Sequence, residues 1–103
     1  IDLEKEELKS DKSKQLMQVG VEIEKLDDEV EIKKENLILL KENIILFQQR
    51  IKNGQVATSE LNLQEVEIQK LKAQINQIEE QLNKAKAERL FISGELSMKL
   101  KTL

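Results

Sequence analysis

Paired carboxylates are the side chains in this sequence whose spacing could support acid–base chemistry. Acidic pairs occur at Asp27-Asp28 and Glu79-Glu80, and a general acid–base site needs two such groups whose surroundings separate their pKa values. The sequence has no histidine and no cysteine. It offers neither a glycine-rich phosphate loop nor the ligand spacing of a zinc or calcium site. Such acidic pairs are typical of solvated helix faces, so we predict no catalytic residue, no cofactor, no metal site and no enzymatic activity.

Composition predicts long helices that bury only a narrow stripe of side chains. Charged residues make up 36% of the 103 residues, aromatic residues 2%, and proline is absent, which is typical of coiled coils. The 17 basic and 20 acidic side chains are interspersed, and neither Tyr nor Trp is available to stack on bases, so nucleic-acid binding is not expected. The longest apolar runs, residues 37–40 and 44–47, are too short to span a membrane. Because the chain opens on Ile1, we expect a segment of a longer protein.

Two apolar stripes follow alternating steps of three and four residues, which is the spacing of a coiled-coil seam. The first is apolar at every position but one: Leu16, Val19, Ile23, Leu26, Val30, Lys33, Leu37, Leu40, Ile44, Phe47, Ile51. The second has two polar positions: Leu61, Gln64, Ile68, Leu71, Ile75, Ile78, Leu82, Ala85, Arg89, Ile92, Leu96. The fold predicted is all-α, a long antiparallel two-helix coiled-coil hairpin.

The break between the stripes predicts the turn. We expect helix 1 over about 2–53, a turn over about 54–58 and helix 2 over about 59–102. Gly54 can take the left-handed conformation that ends a helix. Thr58 or Ser59 can cap the next helix, with Glu60 in its first turn. One helix running continuously through Gly54 is the alternative, because a single glycine costs a helix only about 1 kcal/mol.

A turn centred near Val56 to Thr58 also predicts a register. Ile44 would then face Leu71, with Phe47 facing Ile68, Leu37 facing Ile78, Lys33 facing Leu82, and Leu26 facing an Arg89 paired with Asp27 and Glu22. Gly20 and Gly94 would lie at nearly the same level, by coincidence or because the helices bend or cross closely there. Residues 9–15 contain no apolar side chain, so we expect helix 1 to loosen there or to meet another part of the parent protein.

Interaction surfaces are the candidate functional sites. At the tip, a partner would meet the residues of the turn and the helix ends beside it: Arg50, Asn53, Gly54, Gln55, Val56, Ala57, Thr58, Ser59, Glu60. A second candidate is a group of apolar residues off the stripe, which we expect to contact a neighbouring hairpin or another helix: Ile38, Leu39, Ile45, Leu46. An ordinary polar turn and scattered exposed apolar residues are the alternatives.

The residues around the turn resemble the hairpin tip of the membrane fusion proteins, the periplasmic adaptors of tripartite efflux pumps and haemolysin-type (type I) secretion systems. The resemblance lies in residues 52–61 (KNGQVATSEL), then Gln64-Glu65 and the KAQI sequence at 72–75. In that family a turn begins with Gly and leads into a Glu-aliphatic pair, and helix 2 continues in KAQL-like repeats. The specific match covers about ten residues, while a looser likeness extends from about 16 to 100.

The resemblance implies a periplasmic or cell-envelope hairpin in a parent anchored in the inner membrane. Neighbouring adaptor protomers, commonly six, would form a tube whose tips meet an outer-membrane duct protein, with the inner-membrane transporter as a further partner of the parent. Many efflux adaptors dock through an Arg, a Leu and a Ser at the tip. Here Ala57 stands at the Ser position, and Arg50 and Ile51 lie only near the other two. This departure favours the secretion adaptors, which resemble the chain better at Ala57.

A purely structural coiled-coil arm, of the chromosome-maintenance or cytoskeletal kind, is the main alternative. A helical arm that reaches RNA is a further one, but it would need a basic face, whereas the net charge here is −3. The transported substrate, the identity of duct and pump and the oligomer number are not encoded in any residue pattern of this segment.

Overall fold

Two α-helices joined by one turn make up the computed structural model, which describes residues 2–102. Helix α1 spans Asp2–Lys52 and helix α2 spans Thr58–Thr102. No strand occurs among residues 2–102. The predicted fold class, an all-α antiparallel two-helix coiled-coil hairpin, is confirmed. The continuous helix through Gly54 is excluded, since the residues between Lys52 and Thr58 are not helical.

The chain divides into two compact units, and each contains a part of both helices. The tip unit comprises residues 28–79 and holds the turn, and the terminal unit comprises the described residues 2–27 and 80–102. In both units the apolar stripe of α1 lies against that of α2, because burying these stripes on each other removes aliphatic surface from water.

The seam of the tip unit consists of the predicted stripe residues. Val30, Ile68, Ile75 and Ile78 are buried, with 6–9% of each residue exposed. The other stripe positions of this unit are half-buried: Lys33, Leu37, Leu40, Ile44, Phe47, Ile51, Leu61, Gln64, Leu71. Each fully buried aliphatic side chain contributes about 1.5–3 kcal/mol, so the stability of this unit depends on a line of contacts along the helices.

The seam of the terminal unit follows the predicted stripe with one exception. Its buried residues are all aliphatic: Val19, Ile23, Leu26, Leu82, Ala85, Ile92. Arg89, which the spacing assigns to the stripe, is exposed, and none of the ion pairs among residues 2–102 involves it. The predicted pairing of Arg89 with Asp27 and Glu22 is therefore wrong. Burying a guanidinium is costly, and its long stem lets the charged group extend into solvent.

The C-terminus of α1 is closed by a Schellman motif around Gly54. Gly54 has φ 71°, the left-handed conformation predicted for it. Its amide donates to the carbonyl of Ile51 at 3.0 Å, and the amide of Gln55 donates to the carbonyl of Arg50 at 2.8 Å. This bond pattern satisfies carbonyls that the last turn of a helix leaves without partners.

The N-terminus of α2 differs from the prediction. Thr58 is the first helical residue, so Ala57 occupies the N-cap, and its carbonyl accepts from the Glu60 amide at 3.1 Å. Neither the Thr58 nor the Ser59 hydroxyl caps the helix through a side-chain hydrogen bond in the described part of the chain. Sequence could not distinguish these neighbouring positions, because the cap depends on where the backbone enters the helix. Glu60 does lie in the first turn, as predicted.

The predicted register is displaced by about one helical turn. The residues between the helices are 53–57, which centres the turn near Gln55 rather than at Val56 to Thr58. The long side chains of Lys33 and Lys34 reach Gln74 Oε1 at 3.2 Å and Glu79 Oε1 at 3.0 Å, on either side of the level that a displacement of one turn gives. Leu71 lines one groove with Leu40, the residue one turn before its predicted partner. When the centre of the turn lies two residues earlier in the chain, each residue of α1 faces a residue of α2 that lies four positions earlier.

Helix α1 remains regular through residues 9–15, where loosening was expected. Lys12 replaces an aliphatic residue there, and its Nζ lies 3.2 Å from Glu95 on α2. The predicted alignment of Gly20 with Gly94 stays a prediction. A Cβ at either glycine would meet nothing within 4 Å, so no close helix crossing requires them.

Substituting the three glycines by alanine should separate their roles. Gly20→Ala and Gly94→Ala should each raise the free energy of unfolding by about 0.5–1 kcal/mol, because alanine favours a helix interior and meets no clash. Gly54→Ala should lower it by about 1 kcal/mol or more, because an L-residue is strained at positive φ. Urea denaturation followed by circular dichroism measures all three. A stabilised Gly54→Ala variant would contradict the closure described for α1.

Replacing the N-cap residue should stabilise α2. Ala57→Ser places a hydroxyl where it can accept from the first-turn amides, with Glu60 three residues later completing a capping box. We expect a gain of about 1 kcal/mol in the same denaturation experiment. Ala57→Val is the control and should give no gain. Equal stability of the serine and valine variants would mean that Ala57 is not the N-cap.

Candidate functional site

The tip presents a continuous polar surface built on the Schellman turn. Eight of the nine predicted tip residues are exposed, and Val56 alone is half-buried. The backbone of the turn is fixed by the Gly54 and Gln55 amides described above and by the Asn53 amide, which donates to the Gln49 carbonyl at 3.1 Å. These hydrogen bonds set the course of the turn backbone, and the side chains around it are open to a partner.

Arg50 is the cation of this surface whose position is best defined. Its guanidinium carbon lies 6.0 Å from the centre of the Phe47 ring, at the outer limit of a cation–π contact. Phe47 is half-buried at the seam, so the ring links the exposed guanidinium to the packed stripe. The backbone carbonyl of Arg50 accepts a hydrogen bond from the Gln55 amide at 2.8 Å.

The four predicted lateral residues are exposed and occupy two flanks of α1. Ile38, Leu39, Ile45 and Leu46 each expose 51–58% of their surface. At about 100° per residue, Ile38 and Ile45 share one flank and Leu39 and Leu46 share the other, with Glu42 between them. Leu39 also lines a groove between the helices, together with Leu40 and Leu71. No contact inside the described chain covers the outer sides of these four residues.

An ion-pair cluster across the terminal unit was not predicted. Glu95 lies 3.2 Å from Lys12 Nζ and 2.7 Å from Lys99 Nζ, and the side chains of Lys12 and Glu95 are only 14% and 24% exposed. Hydrogen bonds from Lys99 and then from Lys12 lower the pKa of Glu95 below its usual value. The sequence did indicate the position of Lys12, because it lies four residues before Leu16 and so continues the 3/4 spacing of the α1 stripe.

Among residues 2–102, no group of three His, Cys, Asp or Glu side chains is placed to hold a metal ion. Neither α1 nor α2 contains a stretch long and apolar enough to cross a membrane.

Comparison with known proteins gives no match: no family model, no curated protein and no solved structure is similar to this chain. Functional inference therefore rests on the residues and the geometry above.

The Glu95 cluster makes the stability of the terminal unit depend on pH. Because the folded-state pKa of Glu95 is lowered, its stabilising contribution is fully present above the ordinary glutamate pKa and is lost as the pH falls through the lowered value. Glu95→Gln should therefore be less stable than the native chain at neutral pH, and the difference should vanish in acid. Thermal unfolding between neutral pH and strong acid measures this difference. A Glu95 carboxyl that titrates by NMR at or above the ordinary value would refute the cluster.

Proposed function

We propose that this chain is the coiled-coil hairpin of a membrane fusion (adaptor) protein in a type I secretion or tripartite efflux system. In this role the tip contacts an outer-membrane duct protein, while the parent joins the hairpin to an inner-membrane transporter. The hairpin then works in the periplasm, as a spacer with a docking end. It performs no chemistry of its own.

The observation that carries the proposal is the exposed tip at residues 50–60, whose turn is closed by backbone hydrogen bonds. Its turn coincides with the segment whose sequence resembles adaptor tips, and the left-handed Gly54 stands where that family's pattern has glycine. A pre-formed surface binds a partner without the entropy cost of ordering a loop. A spacer without a docking role would need Gly54 to close its turn, but it would need no particular side chains around that glycine.

The exposed flanks of α1 support a second part of the proposal, the lateral contact with neighbouring protomers. Aliphatic residues that are more than half exposed, as Ile38 and Leu39 are, are often covered in an assembly. A purely structural coiled-coil arm remains the competing function. It would use the seam but would leave both the tip and the α1 flanks without a specific partner.

Site-specific cross-linking in the full-length protein tests the docking role. The chain has no cysteine, so Gln55→Cys at the tip and Glu80→Cys as an exposed control each introduce a single thiol. In Gram-negative cells we expect the Gln55→Cys protein to cross-link to an outer-membrane duct protein and the Glu80→Cys protein not to. Equal labelling of the duct from both positions, or none from the tip, would contradict the proposal, provided that both variants are expressed and folded.

A further inference from the structure

Asn53 and Gly54 form the one Asn–Gly pair of the sequence, and the pair lies in the turn between α1 and α2. Asparagine is a thermolabile residue, and a following glycine has no Cβ to keep its backbone nitrogen away from the asparagine side chain. Asn53 and Gly54 are both exposed, and a Cβ at Gly54 would meet nothing within 4 Å. Neither packing nor burial therefore separates the asparagine amide from water or from the Gly54 nitrogen.

The Gly54 nitrogen takes part in the closure of α1. Its N–H donates to the Ile51 carbonyl at 3.0 Å, and the Asn53 amide beside it donates to the Gln49 carbonyl at 3.1 Å. While the closure is intact, the Gly54 amide proton is held on that carbonyl. A reaction between the Gly54 nitrogen and the Asn53 side chain therefore requires the turn to open locally.

The other asparagines lie inside the helices, although they are exposed as well: Asn36, Asn43, Asn62, Asn76, Asn83. Each is followed by a residue that has a side chain, and the amide of that residue belongs to the hydrogen-bond ladder of its helix. Opening a helix interior costs more free energy than opening a turn at the surface. Asn53 alone combines a turn backbone with a following glycine.

We propose that Asn53 is a site of spontaneous deamidation, and that the closure of the turn sets its rate. When the turn opens, the Gly54 nitrogen gives its proton to hydroxide and forms a bond to Asn53 Cγ. The bond between Cγ and Nδ2 breaks, and Nδ2 takes a proton from water and leaves as ammonia. Water then opens the cyclic imide to a carboxylate, so the reaction consumes water, releases ammonia and transfers no electrons.

The imide opens in two ways, and the products differ in what they do to the turn. Attack at Cγ leaves an ordinary aspartyl linkage at residue 53, whereas attack at the backbone carbonyl leaves a β-linked one. Both products place a carboxylate beside the last carbonyls of α1, where the helix dipole disfavours negative charge. The β-linked product also adds an atom to the backbone, which displaces the Gly54 and Gln55 amides from the carbonyls of Ile51 and Arg50 and disrupts the Schellman motif.

Incubation of the full chain at mildly alkaline pH tests the site, with one sample in native buffer and one unfolded in guanidinium chloride. Proteolysis and mass spectrometry then locate the gain in mass, and chromatography separates the two linkages. We expect conversion at residue 53 in both samples, and a rate at least about tenfold higher in the unfolded chain, because the native chain reacts only during local opening. The five helical asparagines should stay unconverted in native buffer.

Asn53→Gln is the matched control, because it keeps an exposed amide at the same position but needs a larger ring to react. Circular dichroism should show it as helical as the native chain, and residue 53 should stay unconverted in native buffer. The site is independent of the docking role, so loss of tip cross-linking would leave it intact. Native Asn53 that stays intact while the unfolded chain is fully converted would overturn the proposal. So would equal rates in the two samples, or equal conversion of the Asn53→Gln chain.

Discussion

The antiparallel pairing of α1 and α2 depends on the left-handed conformation of Gly54. With φ at 71°, this residue lets the Gly54 and Gln55 amides close the last turn of α1 on its own carbonyls, and the chain leaves the helix in the direction that brings α2 back. Every buried residue of the tip unit seam follows from that reversal, because a stripe on a single helix has nothing to bury itself against. A residue with a Cβ would be strained at this point, which is why the turn is localised here.

Polar contacts beside the seam join the two helices in each unit. Lys33 donates to Gln74, and Lys12 pairs with Glu95. Because these side chains are partly exposed, such contacts add little to stability, and the aliphatic seam carries the pairing of the helices. The lowered pKa of Glu95 reflects its hydrogen bonds from Lys99 and then from Lys12, which favour the charged form.

The functional potential of this hairpin lies in its surfaces. The seam buries one stripe of each helix. What remains exposed is a polar tip and the flanks of α1 with their aliphatic side chains. In the function proposed, the tip contacts an outer-membrane duct protein and the α1 flanks contact neighbouring protomers.

Sequence alone was sufficient for the helices, the seam and the closing glycine. Stripe residues such as Ile23 and Ile75 repeat at intervals that only a helix places on one side, and Gly54 is the one interruption that a left-handed residue explains; both are local properties of the chain. Tertiary structure decided the register of the two helices, the exposure of Arg89, the cap at Ala57 and the Lys12–Glu95 pair. Each depends on how far the backbone has turned when α2 begins, and a difference of two residues at the turn changes which side chains meet along both helices.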